Sequence, residues 1–459
     1  MEYFSFHNRA KIIIFFIGEN RKRQNFTLHN NQALDIVLIE GSPTRSGTFL
    51  SKKNRCAFLS EAITFTTTRR MENIAITVIA YNRKESLKRL LQTLSAAHFG
   101  EDKVPLYISV DKSDTDEVEK FADSYLWRFG EKHVVKHASN MGLRRHILSQ
   151  GLLLDRYDAI IVLEDDLTVA PDFWNYAKQT VGKYKDDNQV AGISLYSYGV
   201  TNYSRIPFSP IHDGNDVYFM NIAMSWGQVW MKRQWKEFYE WYEANTIFND
   251  SPYLPESLYL WGEKSWLRYH TRFCMENDKY FVYPYVSYST NIAEVGTHME
   301  VNDNIYQVPL LKGRISDLRL PDPNGNATLY DGFYENKSLY KAIGLSEKEC
   351  CLDLMGLNNN RAKKRFWLTT KHLGYEIVKR YGCMFRPIEE NVLSEVVGND
   401  IFLYDTHVKA KNKFSKRKNI TLYTYKIQNG FFWIRDYGLP TIIREFFGTL
   451  KFVIKRRFA

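Results

Sequence analysis

The chain has 459 residues, 44% hydrophobic and 15% aromatic, which is ample for a large globular core and too apolar for a disordered polypeptide. Its formal charge of +10 is unevenly spread: residues 1–70 carry 11 basic and 5 acidic side chains, residues 407–459 carry 13 and 2, and the 71–406 body has a net charge of −7. An acidic body argues against a nucleic-acid binder, whose basic patch would sit on the fold, and directs attention to the basic end.

Residues 1–70 show no sustained period and read as a poorly ordered basic extension or a product of start-site choice, with a small capping subdomain as the alternative. Within them, "KIIIFFIG" falls far short of the roughly 20 apolar residues of a spanning helix and lacks a small-residue cleavage site, so neither a signal peptide nor a membrane span is read there. The texture changes at Met71, where "MENIAITVIAYNR" reads as a protein start running into a strand. From there β and α patterns alternate, the signature of a mostly parallel sheet flanked by helices.

Strand 74–81 leads to helix 84–98, with leucines at 87, 90, 91 and 94 on one face. Strand 104–111 leads to a helix running from an Asp114 or Thr115 N-cap to Gly130. A short strand 133–138, a helix 142–156 and the strand "DAIIVLEDD" follow. The next helix has Pro171 near its first turn, where a missing N–H costs nothing. A block over 190–310 is rich in Tyr and Trp and contains a helix at 232–245. The polar stretch "PDPNGNATLYDG" marks a junction, so the domains expected are an extension 1–70, an α/β domain 71–315 and a mixed, mainly helical extension 316–459. The five cysteines (Cys56, Cys274, Cys350, Cys351, Cys383) lack CxxC spacing; reduced thiols in a cytoplasmic protein are the default.

The strand "IIVL" ends in Glu164, Asp165 and Asp166. In open parallel α/β sheets ligands bind beyond the carboxyl ends of the strands, so acids placed there are solvated or hold a hard cation such as Mg²⁺ or Mn²⁺, which also takes diphosphate oxygens. The plain alternative is that the two aspartates cap the following turn.

Together, "TVIAYNR" and "EDDLTVAPDF" resemble the nucleotide-sugar-dependent GT-A glycosyltransferases, nearest to the N-acetylglucosaminyltransferase I type and beyond it the family 2 enzymes, over about residues 74–300. The resemblance implies a Rossmann-like GT-A domain with Asp166 as metal ligand and Glu164 and Asp165 on the donor sugar and ribose. It also implies Arg83 on the donor nucleotide and Asp111, in "SVDKSDTDE", on the base edge; a strand-end Asp is otherwise often only an N-cap. "NMGLRRHI" resembles the segment lining the nucleotide pocket, giving Asn140, Gly142 and Arg144 or Arg145; the alternative is a simple helix start. "MSWGQVWM" and "LWGEKSWLRYH" resemble the acceptor half, where Glu263 matches the general base, although this chain has Gly-Glu where the relatives have two acids. His298 in "VGTHM" matches an added metal ligand of some GT-A enzymes, or is a structural histidine.

The tail 438–459 puts Ile442, Phe446, Leu450 and Val453 on one helical stripe with Arg444, Lys451 and Lys455 elsewhere. It fits an interfacial helix beside anionic lipid, or equally a docked terminal helix with a solvated basic edge.

The expectation is therefore an inverting, Mn²⁺- or Mg²⁺-dependent glycosyltransferase, its donor a UDP-sugar with UDP-N-acetylglucosamine first. Its acceptor would be a glycan or lipid-linked glycan of bacterial surface polysaccharide or lipopolysaccharide assembly, at the inner face of the cell membrane. A sugar-nucleotide pyrophosphorylase would need a glycine-rich loop after its first strand, and "VIAYNR" has none. A non-catalytic carbohydrate-binding protein on the same scaffold would keep the tryptophans without needing the acids.

Overall fold

The computed structural model describes residues 72–202, 205–292, 305–414, 434–435 and 438–458, together with the backbone of three strands before residue 40. The chain forms two units, Met1–Met71 and Glu72–Ala459. In the first, β1 (Phe15–Phe16), β2 (Lys22–Thr27) and β3 (Ala33–Ile39) make a sheet with β3 central, parallel to β1 and antiparallel to β2.

The second unit opens with β4 (Ile74–Ala80), α1 (Lys84–Ser95), β5 (Leu106–Val110), α2 (Glu117–Ser124), β6 (Lys132–Lys136) and α3 (Leu143–Ser149). After a 3-10 turn at Gln150–Asp155 come β7 (Ala159–Glu164), β8 (Leu167–Val169), α4 (Phe173–Tyr184), β9 (Val190–Ser194), β10 (Val217–Met220) and β11 (Gln228–Met231). Then follow α5 (Lys232–Ala244), α6 (Ser257–Leu260), α7 (Leu267–Glu276), β12 (Tyr280–Pro284), β13 (Ser289–Asn291) and β14 (Leu329–Tyr330). The last elements are α8 (Ser338–Ile343), β15 (Cys350–Asp353), β16 (Phe366–Thr369), β17 (Tyr375–Tyr381), α9 (Glu390–Leu393), β18 (Ile401–Lys409) and α10 (Leu439–Phe458).

Nine strands form the main sheet in the order β14-β10-β12-β9-β11-β7-β4-β5-β6. The block β7-β4-β5-β6 is parallel throughout, and β11 runs against both its neighbours. This is the mostly parallel, helix-flanked α/β arrangement expected from the alternating pattern. The central strands are buried on both faces, as a covered parallel sheet requires. In β4, Ile74, Ile76, Val78 and Ala80 face one core while Ala75 and Ile79 face the other. α1 seals the first core with Leu87, Leu90, Leu91 and Leu94.

α2 is shorter than its pattern predicts, starting at Glu117 with Asp116 as N-cap and stopping at Ser124. Its unsatisfied terminal carbonyls are met by Lys132, whose Nζ donates to the carbonyls of Ala122, Asp123 and Tyr125 at 2.8, 2.7 and 2.7 Å. Trp127 is drawn away from helical geometry into an aromatic group with Phe99 and Phe129, its indole donating to the Val104 carbonyl at 2.7 Å. Pro171 lies directly before the α4 N-cap, Asp172.

Beyond residue 315 the chain departs from the mainly helical expectation. β14 joins the main sheet, and β15-β16-β18-β17 form a separate four-stranded sheet. "CCLD" and "FWLT" are too short to declare a period, and "IFLYDTHVK" opens on a continuous apolar run that suits a strand or a buried helix segment alike. What fixes them is burial: Leu352, Leu368, Tyr381, Ile401 and Leu403 enter the same core as Ile160, Tyr218 and Tyr330 of the main sheet. Cys274, Cys350, Cys351 and Cys383 are free thiols. Among the described residues no helix is long and apolar enough to cross a membrane.

His270, on α7, is 1% exposed, with both ring nitrogens buried and without a hydrogen-bond partner. It stacks on Phe238 at 3.9 Å and meets Phe281 edge-on at 5.0 Å. Burial pushes it down to about 3, so the folded chain holds it neutral where the unfolded chain protonates it near pH 6.5. Between those values the unfolded state binds the extra proton, and stability is lost as pH falls from about 6.5 toward 3. Thermal unfolding across this range should show that loss, and His270→Leu should flatten the slope.

Candidate active site

Because β4, β5, β6 and β7 run parallel as neighbours, their carboxyl ends open on one edge. Arg83 lies just past β4, Asp111 directly past β5, Asn140 and Gly142 between β6 and α3, and Glu164 closes β7 ahead of Asp165 and Asp166. The reversed strand β11 returns Trp226 and Gly227, just before it, to the same edge.

The acidic triplet is clamped by its backbone. The Asp165 amide donates to the Ile79 carbonyl at 3.0 Å, and the Ile292 amide donates to the Asp166 carbonyl at 2.7 Å. Asp165 is 3% exposed, whereas the Asp166 side chain keeps 29% of its surface in solvent. Arg83 is the residue preceding α1 and makes no side-chain cap bond to it. Instead its Nη2 donates to Asp165 Oδ1 and, at 3.1 Å, to Asp166 Oδ2. Burial opposes the charge on Arg83, but Asp165 and Asp166 outweigh it and raise the guanidinium above its ordinary value. Burial, reinforced by the charges of Asp166 and Asp165, pushes Glu164 up to about 8, with Arg83 pulling the other way. Burial likewise pushes Asp165 up to about 7 against the charge of Arg83. Among the described residues three carboxyl groups thus share one edge with the Arg83 guanidinium, an arrangement that favours further positive charge.

Ions of the Mg²⁺ and Mn²⁺ class hold one or two carboxylates and complete their shell with water and phosphate oxygens rather than with an all-protein cage. No group of three or more His, Cys, Asp or Glu side chains able to hold a metal occurs among the described residues. The half-buried Asp166 carboxylate fits the one-carboxylate donor set; Asp165 is engaged by Arg83 and closed to solvent.

Asp111 is buried, and its carboxylate organises the neighbouring loop. Oδ1 accepts from the Lys112 and Met141 amides at 2.9 and 2.8 Å, and Oδ2 accepts from the Gly142 amide at 3.1 Å. Asn140 Nδ2 donates to the Lys112 carbonyl at 3.0 Å, tying the same two loops. Gly142 sits at φ 72°, a conformation that glycine adopts without strain. Arg144 lies over the Tyr269 ring at 4.9 Å, joining α3 to α7 through a cation–π contact. Arg145 is exposed.

Several polar groups at this edge carry little sequence signal. Ser109 Oγ lies 2.8 Å from His146 Nε2 and 3.1 Å from His137 Nε2, and Gln150 donates to it at 3.2 Å. Gln150 Oε1 in turn accepts from Thr77 at 2.8 Å. Burial, against the charge of Asp111, pushes His146 down to about 4. The hydroxyls at 77 and 109, each interrupting an apolar strand, were the only hint of this network. Trp226 meets Tyr196 edge-on at 4.9 Å and tilts against Tyr306 at 5.3 Å. Next to it Gly227 has φ 89°, and a Cβ there would come within 2.8 Å of Ser289 Oγ. Asn291, beside Ile292, has a buried side-chain oxygen without a partner.

Glu263 is exposed in the turn between α6 and α7, and among the described residues no hydrogen bond or ion pair ties it to the acids. The structure therefore joins Arg83 to Asp165 and Asp166, and Asp111 to the 140–142 loop, and leaves Glu263 apart. His298 lies outside the described residues.

Residues 48–199 match the GNT-I family, a span that contains Arg83, Asp111, the 140–144 segment and the acidic triplet. The GT-A resemblance of the sequence has its counterpart in that match. No curated protein matches the chain. Among solved structures, TarS residues 1–349 of S. aureus, in complex with UDP-GlcNAc, is 12% identical, with 49% of this chain and 60% of that one covered and a TM-score of 0.33. The mannosyltransferase PcManGT of Pyrobaculum calidifontis, with GDP-Man and Mn²⁺, is 12% identical over 51% and 65% of the two chains, with a TM-score of 0.29. GalNAc-T7, with UDP, GalNAc and Mn²⁺, is 12% identical over 66% and 63%, with a TM-score of 0.37. The chain spans less than two thirds of each of these structures.

Two substitutions probe the geometry. Arg83→Ala strands the buried Asp165 carboxyl, and a loss of about 1–3 kcal/mol is expected in denaturant unfolding. Asp111→Ala removes the acceptor of the Met141 and Gly142 amides; hydrogen exchange at those two amides should speed up markedly while the central strand amides stay protected.

Proposed function

We propose that the chain is a divalent-metal-dependent glycosyltransferase of the GT-A type, moving a sugar from a nucleotide-sugar donor to a glycan or glycolipid acceptor. The observation that carries this reading is the acidic triplet at the end of β7, held beside Arg83 at the edge where four parallel strands open. The family match over the same residues supports it. UDP-N-acetylglucosamine is the first donor to test, in keeping with that family. The basic terminal segment is consistent with a lipid-linked acceptor of bacterial surface polysaccharide assembly.

Asp166 would hold a Mn²⁺ or Mg²⁺ ion, which when bound supplies positive charge against the departing diphosphate. Glu164 would face the donor sugar and ribose, and Asp165, closed to solvent, would act through Arg83 by keeping its guanidinium aimed at the donor. The loop that Asp111 fixes through the Met141 and Gly142 amides, with Asn140 and Arg144 beside it, walls the nucleotide. Asp111 thereby serves the base pocket by shaping the loop, with both its oxygens engaged in doing so. Glu263 takes the proton of the acceptor hydroxyl on its carboxylate, which directs that oxygen at the anomeric carbon. A single displacement of this kind inverts the configuration. In this reading Glu263, exposed in its turn and unbonded to the acids among the described residues, meets the anomeric carbon only once donor and acceptor are seated.

UDP release from UDP-N-acetylglucosamine, followed with acceptor extracts and with Mn²⁺ present or chelated, tests the reading. Release should need the metal, and Asp166→Ala and Glu263→Gln should each slow it by about 10²-fold or more without lowering the unfolding temperature. Sugar binding indifferent to both substitutions, with no release, would instead make the chain a non-catalytic carbohydrate binder.

A further inference from the structure

An amphipathic terminal helix can dock its apolar side on its own protein or offer it to something else, and in α10 that side is bare. Leu439, Ile443, Phe446, Phe447 and Leu450 are all exposed, Phe446 by 62% and Phe447 by 56%. At about 100° per residue they share roughly 100° of the helix circumference. The two phenylalanine rings also meet each other edge-on at 5.7 Å. Arg444 and Lys451 are exposed beside this arc, and Lys455, Arg456 and Arg457 follow in sequence. The whole segment 407–459 carries 13 basic residues against 2 acidic ones.

The charge selects the occupant. A second copy laid on the same face would bring two strongly cationic segments together, and like charges at that density repel. A partner with a negative surface over an apolar interior satisfies both the phenylalanines and the flanking cations. We propose that α10 is a membrane-docking element that lies in the surface of an anionic bilayer. Its apolar arc is buried at the boundary of headgroups and acyl chains, and Arg444 and Lys451 reach lipid phosphates. The helix lies on the bilayer and does not cross it, since no described helix is apolar enough to span. Docking of this kind is separate from sugar transfer and is read without donor or acceptor.

The full chain should be sedimented with vesicles of phosphatidylcholine alone and of phosphatidylcholine mixed with phosphatidylglycerol. Binding is expected to the anionic vesicles, weakening as salt is raised. Phe446→Ser with Phe447→Ser should weaken it about tenfold or more, because two large apolar side chains no longer insert. Arg444→Glu with Lys451→Glu should weaken it at low salt and leave little salt dependence. The same two pairs should keep the unfolding temperature of the parent chain. Failure to bind anionic vesicles overturns the proposal, as does binding that the phenylalanine pair leaves unchanged. A fall in unfolding temperature in that pair would place the face against the protein, and a dimer that the pair dissociates would place it against a second copy; either also overturns it.

Discussion

A buried carboxylate needs a cation, and the Arg83–Asp165 pair is where this structure meets that need. Asp165 directly follows β7 and is 3% exposed, where a lone negative charge would be driven to take up a proton. The guanidinium holds it from the next strand and reaches Asp166 as well. Arg83 can do this because its side chain does not cap α1 and because β4 and β7 are direct neighbours. Burial pushes the carboxyls of Glu164 and Asp165 up, the neighbouring acids reinforce it, and Arg83 pulls the other way. An edge of that kind gains from any additional positive charge that enters with a ligand.

The rest of the edge is built by the same logic of satisfying groups that the sheet would otherwise strand. Asp111 answers three backbone amides, one at the end of its own strand and two in the loop entering α3. Ser109, His146, Gln150 and Thr77 answer one another beneath them in a chain of hydrogen bonds. Gly227 allows its loop to lie against Ser289, which turns Trp226 toward Tyr196 and Tyr306. Rigidity at this edge therefore comes from polar groups with few alternatives, set on strands whose apolar faces are fully covered.

The additions after the main sheet divide by what becomes of their apolar surface. The four-stranded sheet gives its side chains to the core shared with β7 and β10, so it is part of the same packed body. The terminal helix keeps a comparable set of side chains in solvent. Apolar surface of the first sort stabilises the fold; surface of the second sort has to be explained by something outside it.

How much of this was legible in the sequence follows from the range of each signal. Alternating apolar runs and amphipathic segments fixed the α/β class, because period and composition are local properties. Three acids after an apolar run marked the edge where the parallel strands open, because strand ends in parallel sheets face outward together. The uneven charge marked the two basic ends. The strands past 350 were not legible, since β15 and β16 have four residues each, β18 opens on an unbroken apolar run, and their burial depends on a distant partner. Nor was the link between Arg83 and the acids, which lie 82 and 83 positions away and meet only when β4 and β7 pair. The tail pattern suited a docked helix and an open one equally. Tertiary structure alone decided that, because exposure is a relation between a side chain and everything else in the molecule.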